Sequence, residues 1–513
     1  MLNFISKYKY KCTKVYIGDV KPKDGYFNGF NGFTKLKEVK MHPNFLRRFT
    51  RLYNTFNGCV NLTTAICGPR VTELMSTYYG CTKLTEAVCG PNVKFMNFAY
   101  CDCRNLTTAV CGPNVTGMKG AYYNCPNLTT AVCGPNVTNM YRTYYNCYNL
   151  TTAVCGPNVT EMQGAYDGCR NITTAVCGPN VSDFSYAYNN CKNLTTAVCG
   201  DNVTDMRYAY YNCNNLTKAV CGNNVIDMKG AYRNCTNINQ EVFGPNVKYV
   251  DNAYSGTNIV IPNYPERFTE IPGLYLNCVN LTTPIVHPNV TDMSNAYRGC
   301  IKITEPVFGE NVVHAGYAYA ETSVAIPQIP DNITDIEGLY YGCKQIVNAI
   351  CTNKITSMCN VYENCTNLTT AVCGPNVTSM AGTYMNCTNL TTAVCGPNVT
   401  SMYDTYYNCT NLTTAVCGDN VTDLSGAYSG GVYMNCTSLT TAVCGPNVVN
   451  MNYAYRGCTN LTTAVCGDKV INFDSTYYRC TNLPTAVCGP NVTYMNYTYA
   501  YCTNLTTAAC GPN

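Results

Sequence analysis

The chain has no tryptophan, three histidines (His42, His287 and His314) and only 12% charged residues among 513. Each shortage excludes something. A net charge of +4 over this length is too weak to recruit nucleic acid or an anionic membrane surface. Three scattered histidines supply neither a zinc set nor a repeated acid–base dyad. No run reaches the roughly 18 apolar residues of a spanning helix, so membrane insertion is not expected. The opening MLNFISKYKYKCTKVYIGDV lacks the unbroken apolar stretch of a secretory signal. No Ser/His/Asp set, carboxylate pair or phosphate-binding glycine loop stands in a usable arrangement, and no cofactor is expected.

What is abundant is tyrosine, at 45, and cysteine, at 38. Both follow one period. Taking the Cys after Tyr-x-Asn or Tyr-x-Gly as position 0, the cysteines run Cys59, Cys81, Cys103, Cys125 and onward to Cys235 in steps of 22. The period returns from Cys343 to Cys409 and from Cys436 to Cys502, with five residues inserted near Ser429-Gly-Gly-Val-Tyr433. A longer first unit begins at Phe33, with Leu36 in the place of Leu62. A repeat of this length predicts a solenoid in which each coil shelters its neighbours.

The copies show which columns tolerate change. Position +3 is Leu or Ile (Leu62, Ile172), +12 is Val (Val115, Val137), +15 is apolar (Met118, Phe184) and +19 is Tyr (Tyr78, Tyr122). Position +20 reads Tyr79, Cys101, Asp167 and Arg233, and +1 reads Val60, Arg104 and Lys192. The apolar columns are therefore expected to fill one continuous core, and the variable ones to face water. LTTAVC fits the LxxLxL strand register of leucine-rich repeats, Gly-Pro-Asn turns the chain, and VTxMxxAYYN is expected to return as a short strand or irregular arc. Each strand should pair in parallel with its copy about 4.8 Å away, giving a right-handed, β-rich elongated rod or shallow arc of about twenty coils.

The pattern C-x-x-L-T-x-x-V-x-x-x-x-V-T-x-M-x-x-A-Y, carried by Cys125, Leu128, Thr129, Val137, Thr138, Met140 and Tyr144, resembles the BspA-like leucine-rich repeats. The likeness runs from about residue 33 to 513. It departs in its 22-residue unit, in Met for Ile, and in Cys at an aliphatic strand position. The resemblance implies a surface-displayed, non-catalytic adhesion or recognition protein, with a protein or glycan ligand. The missing apolar leader leaves a cytoplasmic location as the alternative.

Cysteine falls 19 times at position 0 and 16 times at +8. One disulfide per coil is one reading. However, Cys235, Cys278 and Cys300 persist where +8 has become Phe243, Val286 and Phe308. This favours two buried ladders of free thiols. The strand register stays open. The family register buries Ala(+6) and Cys(+8) and exposes Thr(+5) and Val(+7), which makes Thr108, Val110, Thr130, Val132, Thr152 and Val154 a candidate binding surface. The opposite register would bury valine. Recurrent Asn-Leu-Thr and Asn-Val-Thr match glycosylation acceptors, but glycans would collide at a spacing of about 4.8 Å, so a turn and stacking role is expected.

The organisation expected is a cap or attachment segment at 1–32 with a lysine-rich stretch from Lys7 to Lys23, regular repeats over 33–238, degenerate repeats over 239–360, and regular repeats over 361–513. In the degenerate part Thr257 and Thr322 replace the anchor cysteine, two steps shorten to 21, prolines gather, and His287 and His314 appear. That stretch is expected to be a bend or specialised surface. The last residues, Cys510 to Asn513, stop within a coil without a polar cap. Truncation, or a second copy stacking there to build a filament or virion component, would account for this.

Overall fold

The computed structural model describes residues 8–20, 27, 29–426 and 430–509. The lysine-rich opening is therefore described only in part, and both the tip of the insertion and the final four residues lie outside. Contacts divide the chain into two units, Met1–Asn258 and Ile259–Asn513. Each is a stack of coils with one apolar spine.

In the first unit the columns picked out by tolerance form the core. Leu128, Val137, Met140, Tyr144 and Cys147 are all fully buried, as are their counterparts in neighbouring coils. Tyrosine rings at +19 stack from Tyr78 to Tyr254 with centroids between 5.2 and 6.0 Å and nearly parallel planes, within the range that favours offset aromatic pairs. The N-terminal end of this spine is built of phenylalanine. Phe30 stacks on Phe56, and Phe27 packs edge-on against Phe30 and Phe45.

Regular strand is sparse. β1 (Lys14–Ile17) pairs in parallel with β2 (Glu38–Met41), and a one-turn helix α1 (Pro43–Leu46) follows, capped by His42. In the second unit β3 (Thr485–Val487) pairs in parallel with β4 (Thr507–Ala509). Elsewhere LTTAVC makes only single bridges, such as Glu86 to Thr108 and Thr174 to Thr196. The expected continuous sheet is thus reduced to points of contact. The core competes for the same backbone groups: the Tyr144 hydroxyl accepts from the Val132 N–H at 2.9 Å and donates to the Val132 C=O at 2.6 Å. Those groups are then satisfied within the coil and do not need a neighbouring strand.

The stronger ladder runs through the returning arc. Position +14 bridges coil to coil from Arg51 through Glu73, Phe95, Gly117, Asn139, Glu161, Asp183, Asp205 and Asp227 to Tyr249. Alternate amides beyond it donate to the next coil, as in Met118 to Asn139, Gly120 to Tyr141, Tyr122 to Thr143 and Asn124 to Tyr145. This arc closes tightly, with positive φ at +17 and +21 in coil after coil. Only Gly and, less well, Asn reach that region without strain. That explains why +21 is so often one of these two.

The second unit repeats the scheme. Its tyrosines stack from Tyr340 to Tyr499, and Tyr406 meets Tyr433 at 5.5 Å across the insertion. At the insertion Ser425 bridges Gly431 in antiparallel fashion, and the Val432 N–H returns to the Leu424 C=O.

The family register is met at +5 and, in part, at +6, while +7 and +8 are both half-buried. Ala175 and Ala486 at +6 are buried, while Thr108 and Thr130 at +5 are exposed. The thiol expectation needs one correction. Position 0 is a buried ladder in which Cys125 Sγ donates to the Tyr100 carbonyl of the preceding coil at 3.0 Å, and Cys147 to Tyr122 at 3.1 Å. Position +8 is only half-buried. Its sulfur lies between the +15 methionine (Cys133 to Met140, 3.7 Å) and the +9 glycine of the next coil, where a methyl on Gly156 would meet Cys133 Sγ at 3.0 Å. The turn is shallow there, so the second sulfur row stays near the surface.

Candidate functional site

The residues singled out from sequence occupy three places. Thr108, Thr130 and Thr152 form an exposed row. Val110, Val132 and Val154 are half-buried, with their backbone groups held by the hydroxyls of Tyr122, Tyr144 and Tyr166. This face is flat and nearly identical from coil to coil.

His287 and His314 are not brought together. His287 takes the +9 place of the turn glycine, where its Nε2 is 3.0 Å from the Tyr264 carbonyl and its ring packs edge-on to Tyr264. It is a packing residue. His314 lies in the +14 ladder between Asp292 and Asp335, with Nδ1 3.4 Å from the Asp335 carboxylate. Among the described residues no group of three or more His, Cys, Asp or Glu could hold a metal ion.

The thiols are chemically quiet. Burial lifts Cys59 and Cys235 to about 12, only partly offset by backbone hydrogen bonds, and lifts the half-buried Cys67 to about 11. Nucleophilic cysteine chemistry needs the opposite shift.

A second surface combines position +20, expected from its variability to face water, with +16 and +17, for which the column comparison gives no expectation. Positions +16, +17 and +20 project from the tight arc, and there the coils differ most. Tyr123 stacks on Tyr145 with centroids 4.5 Å apart, Lys119 lies 4.6 Å over the Tyr141 ring, and Arg142 covers both Tyr141 and Tyr145. Tyr186 stacks on Tyr208 at 5.0 Å, and Arg233 lies over Tyr211. Asp167 belongs to this face. Burial raises its carboxyl to about 6, against the opposing pull of the Asn190 hydrogen bond and the Arg142 charge.

The backbone under this face is strained. Phe98, Arg142, Tyr186 and Tyr208 all hold positive φ at +17, where other coils carry Gly120, Gly164 and Gly230. The Phe98 ring lies against Gly120 and the Tyr208 ring against Gly230, so a methyl on either glycine would collide with the ring below. Large residues therefore rest on glycines one coil on. No count of apolar columns reveals this. The sequence signal is alternation of bulky residue and glycine at +17, visible only when that column is read down the chain.

A third feature is a shallow polar groove in the first unit. Asn114, Asn136 and Asn158 face Thr116, Thr138 and Thr160 across it. The asparagine amides reach back one coil, as in Asn114 Nδ2 to the Pro91 carbonyl at 2.8 Å, and the threonine hydroxyls do likewise. This is the turn and stacking role expected for the Asn-Val-Thr motif.

Known proteins supply a context for this geometry. The pattern described as BspA type Leucine rich repeat region matches in 6 copies, over residues 26–120, 76–195, 166–282, 206–318, 314–439 and 429–513. No match is found among curated proteins. Similar solved structures include a leucine-rich repeat protein from Bacteroides ovatus, at 16% identity over 86% of this chain and 87% of that one, with a TM-score of 0.33. A leucine rich cell surface protein from Faecalibacterium prausnitzii shares 14% identity over 98% and 89%, with a TM-score of 0.21. YopM from Yersinia enterocolitica shares 9% identity over 99% and 92%, with a TM-score of 0.38. With its six matches spanning nearly the whole sequence, the chain belongs to the BspA type leucine-rich repeat family.

Proposed function

We propose that this chain is a non-catalytic, surface-displayed recognition solenoid that holds a protein partner on the variable +16, +17 and +20 face. The observation that carries this reading is the retention of bulky side chains at strained positions. Phe98, Arg142, Tyr186 and Tyr208 sit where glycine costs nothing, and strain of about 1–3 kcal/mol per residue persists where it serves a site. The composition agrees, since Tyr and Arg dominate the energetics of protein interfaces. Uniform coils supply an even scaffold, and coil-to-coil variation on one face supplies specificity. Among the described residues no helix is long and apolar enough to cross a membrane.

The test uses the whole chain on an array of purified extracellular protein domains. Wild type is expected to retain at least one partner. Tyr141→Ala, Arg142→Ala and Tyr145→Ala together should weaken that binding by a factor of about 30 or more, the scale of a lost hot spot. Thr130→Ala with Thr152→Ala should leave it unchanged. The reverse pattern would move the site to the threonine row. An array without any partner would refute the reading.

A further inference from the structure

Besides the insertion, the second unit departs from its own repeat beside Thr322. In a regular coil the position-0 thiol reaches back to the preceding tyrosine carbonyl, as Cys387 does to Tyr362 at 3.1 Å. Thr322 instead turns its hydroxyl to the Tyr319 carbonyl of its own coil, at 2.7 Å. The coil that starts there is one residue short, since Cys343 follows after 21.

The +21 column is disturbed at the same level. Elsewhere it carries an amide ladder, with Asn386 donating to Asn364 at 2.9 Å and Asn408 to Asn386 at 3.0 Å. Here it reads Gly299, Glu321, Gly342. Gly342, which has no side chain beside Glu321, borders a hollow of about 560 Å³, within the size range of small-molecule sites. Glu321 holds positive φ, and its carboxylate is anchored by Arg298 at 3.0 Å. Arg298 also covers the rings of Tyr317 and Tyr341. Tyr317, again at positive φ, lies on Gly338 and reaches across it, so that Asn360 donates to its hydroxyl at 3.3 Å. The wall is thus braced from behind by Arg298.

We propose that this hollow is a binding subsite for a short saccharide. Its lining is Ile301, Glu321, Tyr341, Lys344, Gln345 and Asn364, with threonine and serine hydroxyls at the rim. Sugar hydroxyls donate and accept together. A carboxylate that accepts, an ammonium that donates and the Gln345 carboxamide that does both match that pattern. The tyrosine ring and the exposed isoleucine suit the C–H face of a pyranose, whereas a protein side chain would leave most of these polar groups unpaired. The subsite shares the +20 column with the proposed protein-binding face through Tyr341, but lies in a different coil from Tyr141, Arg142 and Tyr145 and is tested separately from them.

The decisive variant is Gly342→Asn. It supplies the residue commonest at +21, at a backbone position that Asn tolerates, and its side chain stands beside the Glu321 wall of the hollow, because Glu321 Cγ lies 3.3 Å from where the Cβ would be. Wild type is expected to bind one or more immobilised mono- to tetrasaccharides on a glycan array. Gly342→Asn and Gln345→Ala should each lower that binding at least tenfold, with thermal stability kept. The Tyr141→Ala, Arg142→Ala, Tyr145→Ala triple should bind glycans normally, which separates this proposal from the preceding one. An array that stays blank would overturn the proposal. So would glycan binding untouched by Gly342→Asn, or binding of a peptide library that Gly342→Asn abolishes.

Discussion

Raising the pH from 8 to 11 unfolds this protein cooperatively. The reason is the position-0 ladder. In the folded coils burial holds the protons of Cys59, Cys235 and Cys458 up to about 12, and pushes Cys147 and Cys191 in the same direction. In the unfolded chain these thiols ionise near 9. Between those values the folded state binds more protons than the unfolded one, so stability falls as pH rises. Below about pH 9 nothing is lost. Above it each fully buried thiol removes about 1.4 kcal/mol per pH unit until its native value is reached. Several such thiols together exceed the roughly 5–15 kcal/mol that holds a typical domain. The tyrosine spine adds to the effect, because burial raises Tyr100, Tyr144 and Tyr166 well above the usual phenol value. A midpoint at about pH 9.5–11 is expected. Tyrosinate absorbance should rise together with the loss of circular dichroism. Retained structure at pH 12, or phenol ionisation spread evenly over three pH units, would mean that the ladder is not buried as described.

The second large effect follows from one oxygen. Tyr144→Phe keeps the ring, and with it the stacking on Tyr122 and Tyr166 at 5.5 and 5.4 Å. It deletes the hydroxyl that satisfies both the N–H and the C=O of Val132. An unsatisfied buried polar group costs about 1–3 kcal/mol. With two such groups, partly open to water, a loss of about 2–4 kcal/mol is expected. The chain contains its own comparison. At Phe56 the spine carries no hydroxyl, and in that coil β2 pairs with β1 and satisfies its backbone by strand hydrogen bonds instead. Urea unfolding compares the variants. A Tyr144→Phe midpoint equal to wild type, with Tyr144→Ala strongly destabilised, would show that the ring alone matters.

These two effects also mark how far the sequence could be read. Leu128, Val137, Met140 and Tyr144 are legible as core because a column that never accepts charge across twenty copies has to be buried. The thinness of the sheet was not legible. Thr and Val favour strands by composition, and nothing in LTTAVC announces that a tyrosine twelve residues later will take the hydrogen bonds of its valine. The half-exposure of Cys67 and Cys133 was hidden for a similar reason, since depth at +8 depends on the close approach of a glycine in the next coil. The site divides in the same way. Thr322 and the shortened step were visible as a defect, whereas the hollow beside it needed Gly342 to be placed next to Glu321. Tyr145 belongs to the variable +20 column expected to face water, Tyr141 and Arg142 carry no sequence expectation, and the stacking of Arg142 over both rings appears only in the folded coils.

The account rests on coils stacked in a 22-residue register with the first thiol of each sealed inside. Alkylation of the native protein at pH 8, followed by peptide-resolved mass spectrometry, tests this most directly. Cys103, Cys125, Cys147 and Cys169 should stay unlabelled until the chain is unfolded, and Cys111, Cys133 and Cys155 should label slowly, with no peptide carrying the mass deficit of a disulfide. Equal labelling of the two sets, or a disulfide within each coil, would contradict it.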